Sequence, residues 1–237
     1  MTTPTQLIRK TLHAMGIVNL RGHLQFIKRR GIKYSSIFGY EAIPGWLSEA
    51  EAITLYELAR RLPAERPVAV EIGSWLGKSS LVLSKGLKGK TQPRLFCIDP
   101  FNGDADANDR ALYGREMNGM EKTLQQTFLD NMRKHGVLDV VRPVIAYSFE
   151  VAPDFKEPID LLFIDGNHDY PAVLQDYEQW TPLIKPGGVI AFHDVVFEPD
   201  PDPAGPAMVV KQHIYDSPMW SNVSLVDSLL VARKASR

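Results

Sequence analysis

The stretch VAVEIGSWLGKSS, residues 68–80, contains a short apolar run, a turn with two glycines and the start of a helical pattern. The apolar residues 68–72 are typical of a parallel strand that is buried on both faces. Gly73 and Gly77 then bracket a turn of the kind that joins a strand to a helix in open α/β sheets. The stretch therefore predicts the first strand–turn–helix unit of an α/β fold.

Further apolar runs and helical patterns alternate along the rest of the chain. The runs are residues 95–98, 141–147, 161–164 and 189–192. Helical periodicity is visible over residues 124–132 and 173–180, between these runs. Such alternation predicts a doubly wound, Rossmann-like α/β sheet. Two short runs at 223–226 and 229–231 predict an antiparallel hairpin that closes one edge of this sheet.

The composition is that of a globular protein. The chain has 237 residues, of which 44% are hydrophobic and 23% charged, and these values exclude global disorder. A chain of this length buries roughly 70% of its unfolded surface and needs no disulfide to fold. The single cysteine, Cys97, is interpreted as a core residue of the second strand. No apolar run reaches the length of a membrane span. Because a single cysteine allows no intrachain disulfide, we expect a reducing compartment and hence a cytoplasmic protein.

The charges are distributed unevenly. Seven of the 27 basic residues and none of the 28 acidic residues lie in residues 1–40, so the remaining 197 residues carry 20 basic residues against 28 acidic ones. We predict a basic helical extension over residues 1–47 and a catalytic domain over 48–237, whose first helix begins at the capping box Ser48–Glu51. The extension is expected to be a lid or subunit contact, or else a solvated helical face.

Polar residues follow four of the five predicted parallel strands. They are Glu71 with Gly73, Asp99, Asp165, and His193 with Asp194. Ligands of parallel sheets bind beyond the carboxyl ends of the strands, which meet at one edge. One such residue would mean little, but residues of this kind on four strands predict a binding site at that edge.

The first turn discriminates between kinds of nucleotide site. A phosphate-binding loop needs four residues between Gly and Gly-Lys-Ser, but only three separate Gly73 from Gly77. A dinucleotide turn needs glycine at position 75, where Trp75 would block the approach of a pyrophosphate. The remaining interpretation is a cofactor without phosphates, such as S-adenosylmethionine. Glu71 would fix the loop and Asp99 would accept the ribose hydroxyls; alternatively, both residues only shape their turns.

These motifs resemble the class I S-adenosylmethionine-dependent methyltransferases. The similarity is closest to the branch with the macrocin, mycinamicin and novobiocin sugar O-methyltransferases and the cephalosporin-hydroxylase-like proteins, and it covers about residues 45–235. It depends on residues 70–80, 98–100, 164–170 and 183–194. The resemblance implies a seven-stranded sheet that ends in an antiparallel pair. The residues that it implies for cofactor binding are Glu71, Gly73, Ser74, Gly77, Ser79, Asp99, Ser148 and Asp165.

Transfer of a methyl group to a hydroxyl needs a base, a Lewis acid or both. The resemblance implies a divalent metal, Mg²⁺ or Mn²⁺, held by Asp165, His193 and Asp194. His193 stands where the family has a carboxylate, and histidine suits Mn²⁺ better than Mg²⁺. His168, three residues after Asp165, is the implied catalytic base. In the alternative interpretation the two aspartates cap loops and His168 caps the following helix.

Our first hypothesis is an O-methyltransferase that acts on a small hydroxylated molecule such as a sugar, a glycoside or another natural product. The second hypothesis is methyl transfer to nucleic acid or protein, which the acidic catalytic domain disfavours. The third is an NAD-dependent oxidoreductase or nucleotide-binding module, which Trp75 and the terminal hairpin disfavour. We expect a homo-oligomer with neither a nucleic-acid nor a membrane partner.

Overall fold

The computed structural model describes residues 20–103, 114–115, 117–197 and 205–236. The strands in these ranges are β1 Val68–Ile72, β2 Arg94–Ile98, β3 Val141–Val144, β4 Ile159–Ile164, β5 Ile184–Phe192, β6 Trp220–Val226 and β7 Leu229–Lys234. The α-helices are α1 Leu20–Arg30, α2 Glu49–Arg60, α3 Lys78–Leu87, α4 Leu124–Lys134, α5 Ser148–Val151, α6 Tyr170–Trp180 and α7 Gly205–His213. Within this part of the chain, none of the helices has the length and apolar character that crossing a membrane requires.

The strands form one seven-stranded sheet in the order β3-β2-β1-β4-β5-β7-β6. The first five strands in this order are parallel, and β7 runs antiparallel to both β5 and β6. The doubly wound sheet with a terminal antiparallel hairpin is thus confirmed. The direction of winding reverses between β1 and β4, where open α/β sheets bind their ligands.

Several strands differ in length from the predicted apolar runs, and β3 and β5 show how. β3 ends at Val144, whereas the apolar pattern suggested strand up to Tyr147. β5 begins at Ile184 and includes residues 185–188, Lys-Pro-Gly-Gly, whereas the apolar run began only at residue 189. The pairing of β4 with β5 changes register between Ile159 and Leu161, and this irregularity accommodates the proline and glycines within the strand.

Each face of the sheet is covered by its own hydrophobic layer, as buried parallel strands require. Ala69 and Leu161 belong to a layer shared with α2, α3 and α4. Val70 and Leu162 belong to the opposite layer, which includes the fully buried Trp180 of α6. Cys97 is fully buried in the first layer, in agreement with its interpretation as a core residue.

The described part of the N-terminal extension packs against α2 and α3. Its aromatic and aliphatic side chains join the first hydrophobic layer; these are Phe26, Tyr34, Ile37, Tyr40 and Ile43. Arg29 and Arg30 form ion pairs with Glu49, and Lys33 Nζ lies 3.2 Å from Glu57 Oε1. These basic residues therefore pair with acids of α2. Residues 1–19 lie outside the described ranges, and the division at residue 47 remains a prediction.

The five parallel strands share one row of paired residues at their carboxyl ends. The row consists of Val144, Ile98, Ile72, Ile164 and Phe192, one residue from each strand. Because all five strands run in the same direction, the residue that follows each member of the row lies at the same edge of the sheet.

Backbone hydrogen bonds continue the ladder one step beyond this row. The N–H of Asp99 donates to Val144 O at 3.1 Å, and the N–H of Gly73 donates to Ile98 O at 3.0 Å. The N–H of Asp165 donates to Ile72 O at 2.8 Å, and that of His193 donates to Ile164 O at 3.1 Å. The sheet itself thus brings together four of the residues that the sequence places at strand ends.

Gly73 permits close contact between the turn after β1 and the end of β4. Its φ is +82°, and a Cβ built on it would overlap the carbonyl oxygen of Asp165 and lie 2.8 Å from Gly166 Cα. Both groups are backbone and cannot move aside without displacing β4. This position therefore requires glycine for space as well as for its backbone conformation.

We predict that Gly73→Ala destabilises the protein much more than Gly89→Ala does. Gly89 has a similar φ of +87°, but a Cβ there meets nothing within 4 Å, so it is the matched control. The left-handed conformation alone costs alanine about 1 kcal/mol, whereas overlap with β4 should bring the loss at Gly73 to about 3 kcal/mol or more. Urea unfolding measures both losses, and equal values would contradict the proposed contact.

Candidate active site

A cleft of about 470 Å³ opens at the carboxyl edge of the sheet, next to the row of strand ends. Its walls include the turn after β1, the ends of β2, β4 and β5, and the segment 44–46 from the N-terminal extension. Nine of the predicted site residues line it: Gly73, Ser74, Ser79, Asp99, Ser148, Asp165, His168, His193 and Asp194. Glu71 and Gly77 lie outside this lining.

Asp99 determines the shape of the turn after β1. Its Oδ2 accepts hydrogen bonds from the backbone N–H groups of Ser74, at 2.9 Å, and Trp75, at 2.8 Å. Its Oδ1 accepts one from Phe101 N–H at 2.6 Å. Burial raises the pKa of Asp99, although these three hydrogen bonds act in the opposite direction. The carboxylate therefore shapes the turn, as the alternative interpretation stated, and also lines the cleft.

Glu71 supports the same turn from inside the protein. It is fully buried, and its Oε2 accepts hydrogen bonds from the hydroxyls of Ser74, at 2.8 Å, and Ser80. Burial raises the pKa of Glu71 to about 7, despite the serine hydroxyls that favour the charged form. Glu71 thus contacts Ser74, which lines the cleft, and acts on the site through the loop.

Gly77 lies behind the turn, at the N-terminus of α3. A Cβ at this position would meet Met132 Cε at 2.5 Å and Phe128 Cδ2 at 3.0 Å, both on α4. Its φ of +91° is left-handed. Gly77 therefore serves the packing of α3 against α4.

His193 is a buried histidine surrounded by carboxylates at the other end of the cleft. It is 3% exposed, and its Nδ1 lies 3.1 Å from both Asp165 Oδ1 and Asp194 Oδ2. Its Nε2 lies 3.3 Å from Glu51 Oε2. Burial disfavours the charged ring, but the carboxylates outweigh burial and raise the pKa of His193 well above its usual 6.5. The carboxylates therefore favour the charged form of the ring, in which both nitrogens can donate.

Glu51 contacts the site through His193, a role that the sequence interpretation did not give it. It completes the predicted capping box with Ser48, and its Oε1 also accepts hydrogen bonds from Ser228 N–H, at 2.9 Å, and Ser228 Oγ, at 2.8 Å. Burial opposes its ionisation, but the hydrogen bonds from His193, Ser48 and Ser228 hold the pKa of Glu51 at about 2. One buried carboxylate thus joins α2, the β6–β7 turn and the cleft.

Asp165, His168 and Asp194 form a compact group within the cleft. His168 Nε2 lies 3.3 Å from Asp194 Oδ2. Ligand atoms of the three residues all lie within 4.8 Å of one another, an arrangement that could hold a metal ion. Burial raises the pKa of Asp165. Burial also acts to raise the pKa of Asp194, but the contact with His193 outweighs burial, so the pKa of Asp194 is lowered.

Two alternative interpretations of these residues can be checked against the geometry. The N-cap of α6 is Asp169, so His168 is not the residue that caps this helix. Asp194 has a left-handed φ of +54° and directs its carboxylate to two histidines, His168 and His193. These placements favour a role in the cleft over simple loop capping.

The third part of the cleft surrounds Ser148, at the start of α5. Its hydroxyl donates a hydrogen bond to Asp176 of α6, which is 5% exposed. Burial raises the pKa of Asp176 to about 6. Tyr147 and Phe149 stack beside Ser148 with ring centroids 5.4 Å apart. The sequence interpretation included Ser148 but missed Asp176, which lies in the middle of a helix with no motif of its own.

Comparison with known families gives one match to the central part of the chain. A family described as a methyltransferase domain matches residues 70–195. This range runs from the middle of β1 to just beyond β5 and contains all the predicted site residues.

Two curated proteins show similarity over about half of the chain. An uncharacterized protein of Sinorhizobium fredii is 28% identical over 126 residues, which are 53% of this chain and 13% of that protein. An uncharacterized protein of Acanthamoeba polyphaga mimivirus is 29% identical over 145 residues, 59% of this chain and 57% of that protein. The chain thus spans less than two thirds of either relative.

Solved structures share the fold across most of the chain. The O-methyltransferase TomG from Streptomyces achromogenes, in complex with S-adenosylmethionine, is 18% identical with a TM-score of 0.57, over 81% of this chain and 82% of TomG. The O-methyltransferase from Bacillus cereus, in complex with S-adenosylhomocysteine, is 18% identical with a TM-score of 0.59, over 89% of this chain and 96% of that one. At this level of identity, the similarity shows a common fold.

The buried Glu71 predicts a specific pH dependence of stability. The folded protein keeps the Glu71 proton up to about pH 7, whereas the unfolded chain releases it near the usual value of 4.5. The contribution of Glu71 to the free energy of unfolding therefore falls as the pH rises from 4.5 to 7.

Glu71→Gln should remove this contribution, because its amide does not titrate. We expect the free energy of unfolding of the variant minus that of the wild type to rise by up to about 3 kcal/mol between pH 4.5 and 8. Urea unfolding at several pH values measures this difference. A difference that stays constant over this range would contradict the assignment of a raised pKa to Glu71.

Proposed function

The chain belongs to the methyltransferase-domain family that matches residues 70–195, and on this basis we propose that it is an S-adenosylmethionine-dependent O-methyltransferase. Its acceptor would be a hydroxyl of a small molecule such as a sugar, a glycoside or another natural product. One observation carries the proposal: a single cleft joins a glycine turn built on Asp99 to the acid–base group of Asp165, His168 and Asp194.

The turn after β1 supports a cofactor without phosphates. Trp75 has a left-handed φ of +47° and lines the cleft beside Gly73, where a dinucleotide would bring its pyrophosphate. Asp99 and Ser148 line the same cleft and offer a carboxylate and a hydroxyl for the ribose and the adenine. The cleft volume of about 470 Å³ is in the range of small-molecule sites. Bound S-adenosylmethionine in TomG, a protein of the same fold, agrees with this choice.

In the proposed reaction the acceptor oxygen attacks the methyl carbon of the sulfonium. The carbon–sulfur bond breaks, its electron pair passes to sulfur, and S-adenosylhomocysteine leaves. The hydroxyl proton passes to His168, because histidine is the side chain that most often acts as a general base. Asp194, 3.3 Å from His168 Nε2, would stabilise the imidazolium that forms. Asp165 would help to hold the acceptor at the end of β4.

We also propose a divalent cation, Mg²⁺ or Mn²⁺, with Asp165 and Asp194 as its carboxylate ligands. When bound, it would polarise the acceptor hydroxyl. The residues around the site fit such an ion, because the three carboxylates of Glu51, Asp165 and Asp194 surround a single histidine, His193. His193, predicted as a third ligand, donates hydrogen bonds to both carboxylates and would coordinate only after losing a proton. Two carboxylates with water or substrate oxygens are a common arrangement for Mg²⁺.

The chemistry of the cleft favours a small acceptor over nucleic acid. Among the described residues that line it, Lys78 is the only lysine or arginine, so a phosphate backbone would find few cations there. A cytoplasmic location and self-association remain predictions, as does a role of the N-terminal extension as lid or subunit contact.

Release of S-adenosylhomocysteine is the test of the proposed activity. The wild-type protein should release it from S-adenosylmethionine with some members of a panel of sugars, glycosides and catechols, and EDTA should abolish the release. Activity with tRNA or a protein acceptor, and none across the panel, would contradict the small-molecule proposal. Full activity in EDTA would contradict the proposal that a divalent cation takes part.

His168→Ala tests the assignment of the base. General-base catalysis typically contributes 10²–10⁴-fold, so kcat should fall about 100-fold or more. The dissociation constant for S-adenosylhomocysteine and that for Mn²⁺ should each change less than about threefold. A loss of Mn²⁺ affinity above tenfold would identify His168 as a metal ligand instead of the base. His213→Ala, which removes a histidine that packs on Tyr177, is the control and should leave all three quantities unchanged.

A further inference from the structure

Lys78 is the cationic side chain at the cofactor end of the cleft. It is the first residue of α3, directly after the glycine turn, and lines the cleft beside Ser79. It is partly buried, and burial lowers the pKa of its ammonium group. The mechanism proposed above gives this charge no role.

Lys78 holds the N-terminal extension against the turn. Its Nζ donates a hydrogen bond to the Gly45 carbonyl at 2.5 Å. The next residue, Trp46, packs against Trp75 of the turn with ring centroids 6.4 Å apart. Segment 44–46 thus lies beside the ammonium at the wall of the cleft. A lysine ammonium has three N–H donors, of which the Gly45 carbonyl takes one.

The acidic and basic side chains lie at different ends of the cleft, and this arrangement matches the charges of the proposed cofactor. S-adenosylmethionine has one anionic group, the α-carboxylate of its methionine moiety, and two cationic groups, the sulfonium and the α-ammonium. Asp165 and Asp194 lie at the reacting end and would attract the cations and repel the carboxylate. Lys78 lies next to the turn that would carry the amino-acid tail. The side chains therefore favour one orientation of the cofactor.

We propose that the Lys78 ammonium binds the α-carboxylate of S-adenosylmethionine while it holds segment 44–46 beside the cofactor tail. This proposal rests on the proposed function. The ion pair would form in a partly buried site, where charge-assisted hydrogen bonds are stronger than at the surface. Lys78 would then be a binding residue outside the set that the sequence analysis named, and it would link cofactor binding to the N-terminal extension.

A pair of ligands separates this role from a purely structural one. S-adenosylhomocysteine contains the carboxylate, whereas 5′-methylthioadenosine has the same nucleoside and thioether but lacks the amino-acid part. Binding of both is measured by calorimetry for the wild type, Lys78→Met and Lys78→Arg. Methionine keeps most of the length of the side chain and removes the charge, while arginine keeps the charge.

Lys78→Met should lower the affinity for S-adenosylhomocysteine about tenfold or more. The same substitution should change the affinity for 5′-methylthioadenosine less than about twofold. Lys78→Arg should restore most of the lost affinity. An equal loss for both ligands would overturn the proposal, because Lys78 would then only hold the segment in place, and no loss for either would also overturn it. If the wild type bound neither ligand, the proposed cofactor itself would be wrong.

Discussion

The register of five parallel strands determines where chemistry can occur in this protein. One row of paired residues ends all five strands at the same level, and the ladder continues through the N–H groups of Asp99, Gly73, Asp165 and His193. A shift of one residue in any strand would turn its terminal side chain to the opposite face. The hydrophobic layers on both faces prevent such a shift, so core packing and site geometry depend on the same pairing.

A second constraint, the buried contact between Glu51 and His193, connects this row to the rest of the chain. Glu51 lies on α2, outside the region that matches the methyltransferase-domain family, yet it accepts hydrogen bonds from both the β6–β7 turn and His193. His193 in turn bridges Asp165 and Asp194. The three carboxylates thus share one partner, His193, and a buried carboxylate such as Glu51 would be strongly unfavourable without it. Part of the acidic excess of residues 41–237 is therefore concentrated around one histidine.

Much of the fold could be predicted from the sequence because its signals are local. The apolar runs, the capping box at Ser48 and the terminal hairpin all occur within short windows, and the structure contains each of them. The edge that carries the site was predictable as well, because parallel strands bring their carboxyl ends together. Nine of the eleven named site residues line the cleft for this reason.

The remaining features depend on pairs of residues that no local pattern connects. Glu51 and His193 are 142 residues apart, Ser148 and Asp176 are 28 apart, and Gly45 and Lys78 are 33 apart. Each pair is brought together only by the tertiary structure. For Gly77 the motif predicts contact with a cofactor, whereas the structure shows a second reason for the glycine, its packing against α4, which the sequence did not indicate.

The central claim is that the row of strand ends forms a site for S-adenosylmethionine rather than for a phosphate-containing nucleotide. Calorimetric titration of the wild-type protein with S-adenosylhomocysteine and with NADH tests it most directly. We expect saturable one-to-one binding of S-adenosylhomocysteine and no measurable binding of NADH, because Trp75 lines the cleft beside Gly73, where a pyrophosphate would have to approach. Binding of NADH without binding of S-adenosylhomocysteine would contradict it.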